Sequence, residues 1–166
     1  MDNSGKTALS KAAGAGRKDA VQLLLAQSGL QKSNVNAKDA NGWTPLLWAA
    51  QLGFGDVVEL SLTSPNIEVN TRDWDGRTAL FWAAEKGQEA VVEQLPAHRS
   101  TNINVEERHG RTVLSYAAAA GHEAIVRLLL AHKDISVDVK DGHGKTALAW
   151  ATGKGHDAVA ELLRFY

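Results

Sequence analysis

The chain contains no cysteine. That excludes disulfides, cysteine-bearing zinc sites and thiol catalysis, and it fits a reducing, intracellular setting in the cytoplasm or nucleus. Excess charge of either sign is also missing: 18 Lys and Arg stand against 19 Asp and Glu, for a net charge of −1. A nearly neutral chain has no bulk electrostatic pull toward nucleic acid or an anionic membrane, so neither is expected as a partner. No apolar run approaches the ~20 residues of a membrane span. The opening Met1-Asp2-Asn3-Ser4-Gly5-Lys6 lacks the apolar segment of a secretory signal. What remains is 166 residues with 44% hydrophobic and 22% charged content, a composition that suits one compact domain or one short array.

The chain repeats itself. Gly-x-Thr-x-Leu begins at Gly5, Gly42, Gly76, Gly110 and Gly144, and the last four copies follow one another at a constant spacing of 34 residues. A fixed period of this size marks stacked supersecondary units rather than a single catalytic fold. Aligning the copies gives one domain, 1–166, with units 2–38, 39–72, 73–106, 107–140 and 141–166. Each unit reads as two short helices. Thr two residues after the turn glycine can cap the first, and Pro45 suits the first helical position, where no amide is needed. Ala-Ala pairs at 12–13, 49–50, 83–84 and 117–118 let neighbouring helices approach closely. A second glycine, at 16, 53, 87, 121 and 155, closes the first helix. The second helix carries apolar residues at helical spacing, such as Ile125, Val126, Leu128 and Leu129.

The pattern Asp-x-x-Gly-x-Thr-Pro-Leu-x-x-Ala-Ala-x-x-Gly-His, followed by Leu-Leu-Leu and Val-Asn, resembles the ankyrin repeat across nearly the whole chain. The resemblance implies an all-α ankyrin-repeat solenoid of stacked helix–turn–helix units with projecting β-hairpin loops. Two slots depart from the family pattern. The usual His after Thr-Pro-Leu is Ser10, Leu47, Phe81, Ser115 and Ala149, and the next slot is Lys11, Trp48, Trp82, Tyr116 and Trp150. The Trp-Ala-Ala helices and the 34-residue period resemble ankyrin arrays of filamentous fungi, often the C-terminal part of multidomain signalling proteins. The resemblance also implies that His122 and His156 bond loop backbone. Asn36, Asn70 and Asn104 are expected to do the same.

Motifs that suggest chemistry dissolve into the repeat. Gly144-Lys145-Thr146 looks like the end of a phosphate-binding loop, but Val139 stands where that loop needs glycine. The same slot holds Arg77 and Arg111. Three histidine pairs, His109/His143, His122/His156 and His98/His132, each share a repeat slot. Stacked equivalents should lie ~10 Å apart, set by helix packing. Ligands of one zinc, bonded at ~2.0–2.1 Å, lie far closer together. No carboxylate pair recurs and no Gly-x-Ser-x-Gly occurs. No enzyme activity, cofactor or metal is expected.

The periodic aromatics Trp48, Trp82, Tyr116 and Trp150 are expected to form a packed ladder. Trp43 and Trp74 occupy different, variable slots, so they are expected either to anchor a partner or to lie flat on a neighbouring loop. The resemblance implies a partner protein or peptide on the concave face of hairpin tips and first helices. Carried over slot by slot, that face is Asn41, Trp43, Leu52, Trp74, Asp75, Arg77, Glu85, Lys86, Arg108, His109, Arg111, His143, Lys145 and Lys154. It is mildly basic, and Ala119, Ala120, Gly142 and Gly153 leave space in its C-terminal half. The alternative is a spacer segment of a larger multidomain protein making intramolecular contacts. A monomer is expected, with end-to-end association through the C-terminal repeat as the other possibility.

Overall fold

The computed structural model describes residues 4–26 and 35–166. The part of the leader reading that rests on residues 1–3 lies outside them, as does the connector at 27–34. Ten helices are found among the described residues, in five pairs: α1 (Ala8–Gly14) with α2 (Lys18–Ala26), α3 (Pro45–Leu52) with α4 (Gly55–Leu62), α5 (Ala79–Glu85) with α6 (Glu89–Ala97), α7 (Val113–Ala120) with α8 (Glu123–Leu130), and α9 (Ala147–Lys154) with α10 (Asp157–Arg164).

Each first helix starts the same way. The hydroxyl of Thr7, Thr44, Thr78, Thr112 or Thr146 accepts the amide three residues on, satisfying one of the donors a helix start leaves open. Each ends at a glycine with positive φ. At Gly121 a side chain would also clash, since a Cβ would fall 2.6 Å from His156 Nδ1. Pro45 opens α3 as the sequence implies.

The first helices touch one another more extensively than the second helices do. The cause is the alanine pairs: Ala49, Ala50, Ala83, Ala84, Ala117 and Ala118 are fully buried and add almost no thickness between neighbours. The array therefore curves toward its first helices, which form the inner row. Second helices join the same core, with Val57, Val91, Ile125, Leu129 and Val159 buried in one continuous cluster with Leu46, Phe81 and Leu114 of the first helices. This burial is completed between units, where each helix packs on its counterpart in the next. Ser61, in the slot of Leu129, is buried but satisfied, donating to the Val57 carbonyl at 2.7 Å. Pro96 lies in the last turn of α6, which ends one residue later.

The expected projecting β-hairpins are absent. Among the described residues there is no strand, only an isolated antiparallel bridge between Glu106 and Thr112. The reason is local. Each connection is a tight turn closed by two backbone bonds, such as Asp73 N to Arg77 O at 2.9 Å and Gly76 N to Asp73 O at 3.1 Å, and two further turn amides bond a carboxylate instead of a facing strand. One or two residues on either side, the chain enters a threonine cap or another turn. Too little extended backbone is left for a ladder.

Candidate interaction surface

The inner face is organised by the carboxylate that opens the Asp-x-x-Gly-x-Thr pattern, to which the sequence reading gave no role. Asp73 Oδ1 accepts the amides of Asp75 and Arg77, each at 2.9 Å, while Oδ2 accepts Trp82 Nε1 at 2.9 Å. Asp39 does the same for Asn41, Trp43 and Trp48, and Asp141 for His143, Lys145 and Trp150. One buried side chain thus builds the turn and fixes the ring nine residues later. Unit four changes both partners. Glu107 accepts the His109 and Arg111 amides, and Tyr116 replaces the indole, its hydroxyl 3.4 Å from Arg77 Nη2. The constant nine-residue spacing, with Asp and Trp changing together to Glu and Tyr, was the available sequence signal. Burial alone would raise the pKa of Asp141. The Lys145 amide, the Trp150 indole, the His143 amide and the His143 charge outweigh it and hold the carboxyl below its usual range.

The rings so fixed alternate with the side chains at the Gly-x-Thr slot. Lys6 Nζ lies 3.7 Å from the Trp48 ring, and Trp43 stacks between Trp48 and Trp82 at 4.7 Å from each. Arg77 lies between Trp82 (4.9 Å) and Tyr116 (5.4 Å), Arg111 between Tyr116 (3.8 Å) and Trp150 (4.1 Å), and Lys145 lies 4.6 Å from Trp150. The result is a continuous, half-buried ladder of cations and aromatic faces along the inner row. Trp43 is therefore one rung of the ladder, in the slot of Arg77 and Arg111. Trp74 lies over the Gly42 turn, donates to Ala40 O at 3.0 Å and stays 60% exposed.

The other residues of the expected face fall into groups. Glu85 lies 3.8 Å from Arg77 Nη1 and 4.0 Å from Lys86 Nζ. Arg108 reaches back across the turns to Trp74 O at 2.9 Å and to Asp75 at 3.9 Å. His109 and His143 are exposed at the turns of units four and five. Asn41, Leu52 and Lys154 are exposed, and no side-chain contact joins them to these groups.

Two further slots join the units. His122 and His156 contact the carbonyls of Glu85 and Ala119 at 3.2 and 3.1 Å, and Gln88 donates to Gln51 O. The histidines do bond backbone, but of the preceding unit's first helix. Asn36, Asn70 and Asn104 each clasp the next unit's loop with both ends of the amide; Asn70, for one, donates to Ser100 O at 2.6 Å and accepts Asn102 N at 2.9 Å.

Among the described residues no group of three or more His, Asp or Glu is placed to hold a metal ion. No described helix is long and apolar enough to cross a membrane. A family model described as ankyrin repeats (3 copies) matches residues 1–73, 30–107 and 92–166. The human and mouse proteins named ankyrin repeat domain-containing protein 63 are each 44% identical to this chain over 63 residues, or 38% of its length. The match spans only 16% and 15% of those two proteins.

Proposed function

Because the chain belongs to the ankyrin-repeat family, whose stacked units are non-catalytic scaffolds, we propose that it binds a partner protein or peptide on the inner face of turns and first helices. The supporting observation is the cation–aromatic ladder. Its side chains are already immobilised by stacking, so a partner meets a pre-ordered surface and little rotamer entropy is lost on binding. The basic excess of this face is uneven. Arg77, Lys86 and Arg108 have Glu85 and Asp75 beside them, whereas Arg111, Lys145 and Lys154 form no ion pair among the described residues. Units four and five thus offer an uncompensated positive stretch, which favours an acidic partner surface and speeds its approach.

The test is partner capture by the chain carrying Lys86→Glu, Lys145→Glu and Lys154→Glu, beside a control carrying Glu59→Lys and Glu93→Lys on the second helices. The inner-face variant is expected to lose partners that the wild type and the control retain. Loss with the control alone would overturn the face assignment. The resemblance to fungal arrays belongs to the same proposal and rests on the sequence pattern.

A second reading, a spacer segment contacting another part of a longer chain, is favoured by one observation. Phe165 and Tyr166 are 86% and 63% exposed. They border a groove of about 610 Å³ floored by Leu130, Ala131, Ala158 and Leu162. Self-association in size-exclusion chromatography, abolished by Phe165→Ser, would support it; a monomer at all concentrations would count against it.

A further inference from the structure

Arg77 and Arg111 occupy one slot in successive units, and each guanidinium is held between two rings. Arg77 has a carboxylate: Glu85, the last residue of α5, the helix that follows Arg77, lies 3.8 Å from Nη1. The slot of Glu85 in unit four is Ala119. Arg111 accordingly forms no ion pair among the described residues, and its Nη2 makes a single 3.4 Å contact to Ser115 O; its Nε is buried without a hydrogen-bond partner, as is Arg77 Nε, so the missing carboxylate is what separates the two. The turn carboxylates of units four and five are taken by other donors. Glu107 is occupied by the His109 and Arg111 amides, and Asp141 by two amides and Trp150.

We propose that Arg111 is the docking point for an Asp or Glu side chain of a partner polypeptide, which takes above Ala119 the place that Glu85 takes beside Arg77. The proposal rests on the reading of the chain as a protein-interaction scaffold. A stacked guanidinium keeps its donors in a fixed fork, the geometry that a carboxylate matches with two parallel hydrogen bonds. Ala119 leaves open the volume that Glu85 fills one unit earlier, and the next slot, Lys86 in unit three, is Ala120 here. Lys145 lies over Trp150, the ring on one side of Arg111, and Lys154 is exposed in the following unit, so both add positive charge that attracts an incoming acid. Unit three is the built-in template, with the same arginine already paired by its own chain.

The test uses a randomised peptide-display library selected on the full chain, with binding then measured by fluorescence polarisation. Enriched peptides are expected to share one Asp or Glu, and changing it to Asn or Gln should weaken binding about tenfold, a charge-assisted pair being lost. Arg111→Gln should weaken the parent peptide by a similar factor, and on that variant the acid-to-amide change should cost nothing further. Ala119→Glu, which supplies the missing carboxylate from within, should also block the peptide while its thermal unfolding shows the fold intact. Glu85→Ala should add a second acid-dependent site that Arg111→Gln does not remove. Binders without a common acid, or an acid effect unchanged on Arg111→Gln, would overturn this inference and leave the scaffold reading standing. A library yielding no binder would count against both.

Discussion

In unit three, Arg77 lies between Trp82 and Tyr116 with the Glu85 carboxylate 3.8 Å away; in unit four, Arg111 lies between Tyr116 and Trp150 opposite Ala119. The turn row repeats the contrast. Trp74 lies over the Gly42 turn and Arg108 reaches back to the turn of unit three, but Gly142 has no side chain with which to cover the turn of unit four. The cleft between the turns of units four and five holds about 510 Å³, against about 330 Å³ one unit earlier. The two units share their threonine caps and their left-handed glycines, so the contrast on this face is one of side chains. Where a unit sets a carboxylate beside its own cation and covers its own turns, those residues serve the array. On the proposed reading, the same slots left open serve a partner.

The comparison can be attacked at several levels, the strongest in the core. Phe81 is fully buried and meets Tyr116 edge-on at 4.6 Å, while its counterpart Ser115 only shares a hydroxyl contact with Thr112. Phe81→Ala should cost about 3–5 kcal/mol in urea unfolding, and Ser115→Ala about 1 kcal/mol. Equal costs would mean the two units are not packed as described. Next comes the turn carboxylate. Asp73→Ala strands two amides and an indole N–H, and should cost about 2–3 kcal/mol, with the Trp82 fluorescence shifting as its ring is released.

The clasps give a smaller contrast. Asn70→Ala removes both bonds to the loop of unit three and should cost about 1 kcal/mol, whereas Asp138→Ala, in the same slot of unit four but exposed, should stay within about 0.5 kcal/mol. The smallest effect is one of pH. Asp141 titrates below its ordinary value of 3.8, so its contribution is complete above that pH and is lost as the pH falls through the lower folded value. The stability advantage of wild type over Asp141→Asn should therefore be constant near neutrality and shrink only below about 3.8. An advantage that begins to fall near pH 6 would contradict this.

The helices were legible because their signals are local. Gly-x-Thr-x-Leu fixed where each first helix begins, and the second glycine fixed where it ends. The ladder of Trp48, Trp82, Tyr116 and Trp150 was also legible from period alone. The hairpins were not, because whether a turn grows into strands depends on where its amides bond, and Asp39, Asp73, Glu107 and Asp141 take them. Trp43 looked like an exception because residue type hid its slot: an indole replaces a cation in a stack that accepts both. The pairing of Arg77 with Glu85 joins the turn before α5 to the last residue of that helix, and spacing alone does not tell that these side chains meet.

The most direct test exchanges the two surroundings. The chain carrying Glu85→Ala and Ala119→Glu should keep its stability and its overall affinity for an acid-bearing peptide, while amide chemical-shift changes on binding move from Arg111–Trp150 to Arg77–Tyr116. Shifts that stay in unit four after the exchange would contradict the claim that an unpaired, stacked arginine is what makes one repeat a docking site and its neighbour a strut.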